Sequence, residues 1–569
     1  MRDDSPNTSR PERTEHVGPA PTAAAGTDRQ ISAGLGPASI DHKRSVAAEV
    51  RGLGRDSHAW FGLALLAGLV VSVAYVSTHP YPAYGAGLYL EIAEQIRTDG
   101  YALPTTIPYY SGGIPFAYPP LQFYVVALLT DLGVSGLTVS RILPAVVTIL
   151  YLVPYYGIAT RLLPTRRQAG FATLVLAVTP PVLQWHLSAG GIVRASAFLL
   201  ALCGIYAGTR VFIDSDWRWV GVGTIFFALT ILSHPVYTVF FGLSWLILYA
   251  AFDRSVRGLV GGAVVAVGGL VVASPWWMQV VSRHGVQVFT GAAGSHSGIA
   301  GGLGRLLDQF VYPFDPTVVT VFFVASFASA LVLVARKKYV LPTWLFLSAY
   351  VLGKERFQFV AGAMMISTVF FAIAVPRLAE TLRGTFDTRQ TMAATFALVL
   401  VCAFSLGGFY AGSELGSAHH GSPSLPPFFD DDDRRAMEWA ANHTDGDATF
   451  VVLSDAAEWF PHYTKREILV GPWGVEWVSP ESYYDQLSAF KEGSSCKNES
   501  CLIESMTSVG ASPEYLYVPV GTYTIRGLEA DGTRELRASL AESNRYRRVY
   551  GNRGVVIYRI VHSENSTAD

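Results

Sequence analysis

The stretch YGAGLYLEIAEQIRTDGYALPTTIPYYSGGIPFAYPPLQFY, Tyr84 to Tyr124, follows one apolar segment and precedes a long series of them. In a chain of 569 residues that is 50% hydrophobic, 12% aromatic and only 15% charged, with a positive mean hydropathy, there is too little charge to cover a soluble protein of this length. A mainly α, polytopic membrane bundle is expected, with the quoted stretch as a loop between spans. The formal net charge of -2 gives no case for a nucleic-acid partner, so Lys and Arg must be read by position.

Residues 1–57 are rich in Ala, Gly, Ser, Thr and Pro without apolar periodicity, and read as a disordered tail. Lys43, Arg44, Arg51 and Arg55 precede the first apolar segment, Trp60 to Ser77, which places the tail in the cytoplasm and the chain outside from about His79. Ten further segments follow at roughly 140–162, 168–186, 192–212, 219–233, 236–252, 259–279, 317–335, 340–353, 357–379 and 391–411. Counting Pro119 to Gly133 as a span would put Arg166, Arg167, Arg254, Arg257, Arg336, Lys337 and Lys338 outside. Reading it as a short helix at the outer leaflet puts them all inside. About eleven spans are therefore expected over 58–411, with a long first external loop at 78–139.

Residues 412–569 change to soluble composition. The runs ATFVVLS, YLYVPV and GVVIYRI read as strands and DRRAMEWAANH as a helix, giving a small extracytoplasmic α/β domain. Cys496 and Cys501 are spaced to close a small disulfide loop, and Asn442, Asn498 and Asn565 fit glycosylation patterns, although Asn7 in the tail does too. Cys203 and Cys402 fall inside spans and read as apolar packing.

Within the loop, a helix over YLEIAEQI sets Tyr89, Ile92, Ala93 and Ile96 on one face and Glu91, Glu94, Gln95 and Thr98 on the other. The Pro-, Gly- and Tyr-rich continuation gives irregular backbone with rings suited to the headgroup level. The order of a span, a loop with Tyr89-x-Glu91-Ile92-Ala93, and then Tyr118-Pro119-Pro120-Leu121 resembles the C-type glycosyltransferases. These are membrane enzymes that take sugars from polyprenyl-phosphate donors, and lipid A aminoarabinose transferases and protein O-mannosyltransferases are the members it is most similar to. The likeness covers approximately 59–310. It implies an acidic centre in the first loop and basic residues further on that hold the lipid phosphate. The sequence departs from that pattern: the usual Asp-Glu pair before the Tyr is Gly85 and Ala86, a Glu-Lys pair is Ala117 and Tyr118, and HLSAGGIVRAS lacks an Asp.

Transfer from a phosphosugar needs a base for the acceptor hydroxyl and cations for the departing phosphate. The first-loop carboxylates are Glu91, Glu94 and Asp99, with Glu91 ranked first. The plainer reading is a solvated polar face. Arg194, His234, Arg283, His284, His296, Arg305, Lys354 and Arg356 are the external cations, and Tyr118 belongs to the sugar or phosphate set through its motif. Arg194 and Arg356 stand out because a cation just inside an apolar span is costly unless it meets a cavity or a partner; snorkelling to the headgroups is the alternative. His234 reads equally as a helix cap, and Trp276 and Trp277 as an interface belt. Asp430–Asp433 open a helix, which the helix dipole explains without a metal, and His419 and His420 lack the other ligands of a zinc site. No metal site is assigned, although a divalent cation is compatible with the chemistry. Trp459, Trp473 and Trp477 beside Glu458 and Glu476 suit sugar stacking or, more simply, packing.

Three functions stay open: a transferase acting on an extracytoplasmic lipid, glycan or protein acceptor; a silent relative that binds lipid-linked glycan, favoured by Gly85 and Ala86; and a lipid or glycan transporter, against which stands the lack of internal repeats and of paired broken spans.

Overall fold

The computed structural model describes residues 57–295, 302, 318–377 and 425–561. The expected tail, the segment 391–411, the boundary at 412, and Arg305, His296, Cys402, His419, His420 and Asn565 lie outside the described residues.

Ten of the eleven expected apolar segments are helical. Among the described residues, five helices are singly long and apolar enough to cross a bilayer: His58–Thr78, Gly136–Leu162, Gly191–Phe212, Pro235–Phe252 and Glu355–Arg377. Leu66, Leu69, Val70 and Val73 of the first helix point outward and about half exposed, a surface that lipid covers at no cost and water does not. The chain is a multi-pass membrane protein.

Two expected straight spans are broken instead. Arg166–Ala177 and Pro180–Leu187 meet at 58°, as do Val256–Val272 and Ser274–His284. Each second half has Pro in its first turn, which removes a backbone donor and clashes with the preceding turn. With two bent pairs present, the expected absence of broken spans no longer argues against a transporter. Trp219–Ile231, Val321–Ala335 and Val340–Leu352 are apolar but shorter.

Close approach between helices is made by small residues. A Cβ at Gly204 would overlap the Phe241 ring, and Trp245 Nε1 reaches the freed Gly204 carbonyl at 3.0 Å. Two buried hydroxyls tie helices together through backbone carbonyls, Tyr155 Oη on that of Val360 at 3.0 Å and Ser367 Oγ on that of Gln168 at 2.7 Å.

The first loop contains the helix Gly87–Thr98, the short antiparallel pair β1 (Thr106–Ile107) and β2 (Ile114–Pro115), and the helix Leu121–Asp131. The last is tied to the end of Trp219–Ile231 by Leu121 N to Leu232 O at 2.9 Å and by Gln122 Nε2 to Ser233 Oγ at 3.0 Å.

The C-terminal region holds β3 (Thr449–Val452), β4 (Glu467–Ile468) and β5 (Tyr515–Pro519), a side hairpin of β6 (Tyr523–Ile525) and β7 (Leu528–Ala530), then β8 (Tyr546–Gly551) and β9 (Val555–Ile560). The main sheet runs β4-β3-β5-β9-β8, parallel on the β4 side and antiparallel on the β9 side. The helix Asp431–His443 opens with a capping box between Asp430 and Asp433. Its acids are engaged by protein: Tyr517 Oη donates to Asp433 and Tyr81 Oη to Asp431, both at 2.6 Å, and Arg435 pairs with Asp432. Cys496 and Cys501 form a disulfide with Cα atoms 5.7 Å apart.

The core of this region is continuous with the first loop. Leu90, Ile92, Ile107 and Phe116 of the first loop share one buried cluster with Phe450, Trp459, Ile468 and Trp477, and Ser111 N donates to the Ile468 carbonyl at 2.9 Å. First loop and C-terminal region fold as one body over the helices.

Candidate active site

Three segments converge where the first span ends. Pro180–Leu187, the second half of a broken helix, presents Trp185 and His186. The start of Gly191–Phe212 presents Arg194, and the first turn of Glu355–Val369 presents Arg356. Trp185 is the common element: the Arg194 guanidinium carbon lies 5.2 Å and that of Arg356 5.8 Å from its ring centroid. Tyr84 stacks on the same indole at 5.3 Å with the planes 15° apart. Tyr84 adopts a left-handed backbone, φ 59°, which costs an ordinary residue about 1–2 kcal/mol. It is held there by Tyr84 N to Pro426 O at 2.9 Å and by Gln184 Nε2 to its hydroxyl at 2.8 Å.

Arg356 is 5% exposed, lies 5.5 Å from the Tyr237 centroid and 5.1 Å from that of Phe357, and its Nε has no hydrogen-bond partner. Arg194 is half-buried and folds back over Gly190, where a Cβ would collide with it. Among the described residues neither arginine makes an ion pair. Two cations at one indole in a region of low dielectric repel unless an anion joins them, and the cation–π contacts offset only about 1–2 kcal/mol each.

On the water side, Tyr118 packs among Tyr89 (5.6 Å), Trp477 (5.7 Å) and His234 (6.1 Å). Burial pushes both phenols above the usual tyrosine range. Tyr89, Tyr118, Tyr237 and Glu458 are the nearby groups that act electrostatically on Arg194. Glu458 is half-buried by surface but surrounded by protein; burial pushes its carboxyl up to about 7, against Arg526 and Arg194, which favour the charged form.

The expected residues separate clearly. Arg194, Arg356, His234 and Tyr118 come together, with His234 serving as the cap of Pro235–Phe252 by accepting from Val236 N at 3.3 Å. Glu91 is fully buried, so a solvated face is corrected. Its carboxylate pairs with Lys465, accepts from Gln95 at 3.0 Å and lies 3.7 Å from His462 Nδ1. Burial alone would raise its pKa, but His462 and Lys465 outweigh that and hold it below the usual carboxylate value. It is a tie between the loop helix and the C-terminal region. Glu94 is bound by Arg97 at 2.5 Å, and Asp99 sits exposed at the helix end. Arg283 donates to the carbonyls of Leu103 (3.0 Å) and Pro104 (3.1 Å), and His284 to that of Thr105 (2.9 Å). Both clasp the first loop through these carbonyls. Lys354 is exposed before its helix. Trp459, Trp473 and Trp477 are buried, as packing requires.

Sequence reasoning missed Trp185, His186 and Tyr237. His186 Nε2 and Tyr237 Oη are 2.7 Å apart beneath the arginines. Among the described residues no group of three or more His, Cys, Asp and Glu is placed to hold a metal.

The family model of dolichyl-phosphate-mannose-protein mannosyltransferases matches residues 117–278, which carry Tyr118, Trp185, Arg194 and His234. ArnT from Cupriavidus metallidurans, solved with undecaprenyl phosphate, superimposes with a TM-score of 0.52 at 14% identity, over 89% of this chain and 98% of that one. The chain has the fold of the C-type glycosyltransferases. The arabinofuranosyltransferase AftD from Mycobacteria gives a TM-score of 0.54 at 15% identity, over 89% of this chain but 40% of its own length. The oligosaccharyltransferase of Archaeoglobus fulgidus, solved with Zn and sulfate, gives 0.50 at 13% identity, over 80% and 68%. No curated protein matches in sequence. In this C-type fold the arginines lie at the ends of membrane helices, under the first loop.

Proposed function

We propose that the chain is a glycosyltransferase that moves a sugar from a polyprenyl-phosphate donor to an acceptor hydroxyl on the outer side of the membrane. The observation that carries this reading is the Arg194 and Arg356 pair about Trp185, both without ion-pair partners among the described residues and both at the start of a membrane helix. A lipid phosphate supplies the anion they lack, with its tail in the bilayer and its sugar toward Tyr118 and Glu458. Guanidinium groups donate in a fork that fits phosphate oxygens and stabilise the charge that develops as the sugar leaves.

In this reading the N-terminus is cytoplasmic, eleven segments span, and residues 78–139, 280–316 and 412–569 lie outside. The placement of Arg and Lys in the short loops supports it, as does a disulfide in the C-terminal region, since disulfides persist outside the cytoplasm. Labelling a Cys introduced at Ser111, but not one at Arg166, in intact cells is the expected pattern; labelling at 166 overturns it.

Deleting the gene and measuring surface glycans and lipid-linked sugars by mass spectrometry tests the activity. A transferase leaves its donor accumulated and a glycan truncated. Loss of glycan display without donor accumulation supports the glycan-binding reading that Gly85 and Ala86 favour, and donor retained on the cytoplasmic side supports a transporter.

A further inference from the structure

Gly85, Ala86 and Gly87 make a notch at the mouth of the first loop, lined by nothing larger than a methyl group. The C-terminal region inserts Glu458 and Trp459 into it. A Cβ at Gly85 would overlap the Glu458 carboxyl group, and one at Gly87 would overlap the Glu458 carbonyl oxygen. The insertion is held from both sides: Trp459, fully buried, donates from Nε1 to the Tyr84 carbonyl at 3.3 Å, and Tyr110 Oη donates to the Glu458 carbonyl at 3.2 Å.

Resting on the transferase reading above, we propose that Glu458 is the catalytic base, a carboxylate delivered by the C-terminal region into the Gly85–Gly87 notch of the first loop. No loop carboxylate reaches this place. Gly85 and Ala86 carry none, Glu91 is bound by Lys465, Glu94 by Arg97, Asp131 by Tyr101 and Arg97, and Asp99 is at the exposed helix end. Asp455, one turn before Glu458, is closed off by the backbone amides of Arg526 (2.8 Å) and Gly527 (2.7 Å). Glu458 makes no ion pair among the described residues, keeps partial exposure, and lies near enough to Arg194 and Tyr89 for the charges to act on one another. Burial raises its proton affinity to where a base working near neutral pH takes up and releases a proton readily.

The step balances. As the acceptor oxygen bonds the anomeric carbon, its proton passes to Glu458. The bond from that carbon to the phosphate oxygen breaks with its electron pair going to the phosphate, which Arg194 and Arg356 hold. Glu458 then returns the proton to water.

The test compares wild type, E458Q, E458A, G85D/E458A and R194L in a deletion strain at equal membrane levels. Transfer is read as mature glycan over lipid-linked precursor, and binding as undecaprenyl phosphate bound to each purified variant. E458Q is expected to bind the lipid as wild type does while transfer falls roughly 10²- to 10⁴-fold. G85D/E458A, which returns a carboxylate to the notch from the opposite wall once the Glu458 side chain is gone, is expected to exceed E458A by about tenfold or more. Full transfer in E458Q with R194L inactive overturns the role of Glu458 and leaves the transferase reading standing. A glycan-to-precursor ratio that wild type leaves as it is in the deletion strain, with no lipid bound by wild type, overturns the transferase reading and this inference with it.

Discussion

Replacing Arg356 by Leu should weaken lipid-phosphate binding without weakening the fold. Arg356 is 5% exposed, its Nε is unpartnered, and it shares the Trp185 ring with a second guanidinium. An unsatisfied buried donor costs about 1–3 kcal/mol, while cation–π contacts of the desolvated kind return about 2 kcal/mol. These nearly cancel, and a Leu side chain occupies part of the same volume, so the stability of the lipid-free protein should change by no more than about 1 kcal/mol in either direction. Binding is different, because a charge-assisted hydrogen bond to phosphate contributes about 1.5–3 kcal/mol. That corresponds to a loss of about 10- to 150-fold in affinity. The assay is undecaprenyl phosphate binding to detergent-purified wild type, R356L and R194L, with thermal unfolding of the same samples. R194L should lose a comparable amount. If both variants bind as wild type does, the arginines do not hold phosphate. If binding falls only in proportion to the folded fraction, their role is structural.

Three further outcomes follow from the same geometry. E91Q and K465M should each loosen the C-terminal region from the loop helix; with Lys465 39% exposed, the loss is discounted to about 1–2 kcal/mol, read as a lower unfolding temperature. Because the folded pKa of Glu91 is held below its unfolded value, this stability is present above the ordinary carboxylate range and is lost as pH falls through the depressed value, a dependence that E91Q should abolish. G87L should place a side chain against the Glu458 carbonyl and release the insertion, detected as new protease cleavage near 458 while the spans stay folded. Transfer by wild type should rise as pH passes upward through about 7, the value for Glu458 set by burial and the Asp455 charge against Arg526 and Arg194, since only the ionised carboxylate accepts a proton; a profile flat across that range would remove it as the base.

The sequence by itself determined the membrane class, the helical segments, the strands of the C-terminal region and the two arginines that open apolar helices. These follow from local quantities: apolar run length, alternation, and the cost of a cation inside an apolar segment, none of which needs a partner to be evaluated. Arg194 and Arg356 were legible for that reason. Tertiary structure decided the rest. Glu91 carries a functional-looking motif, yet its role depends on Lys465, 374 residues away, which no local pattern reveals. Trp185 becomes the centre of the site only because Pro180 and Pro181 bend its helix out of line with the preceding one. Glu458 appeared as one acid among tryptophans; the two glycines at 85 and 87 were the signal that some other group fills the space, but which group does so is set by the docking of the C-terminal region against the first loop. Burial and proton affinity are properties of what surrounds a residue, and for these residues the surroundings come from the far end of the chain.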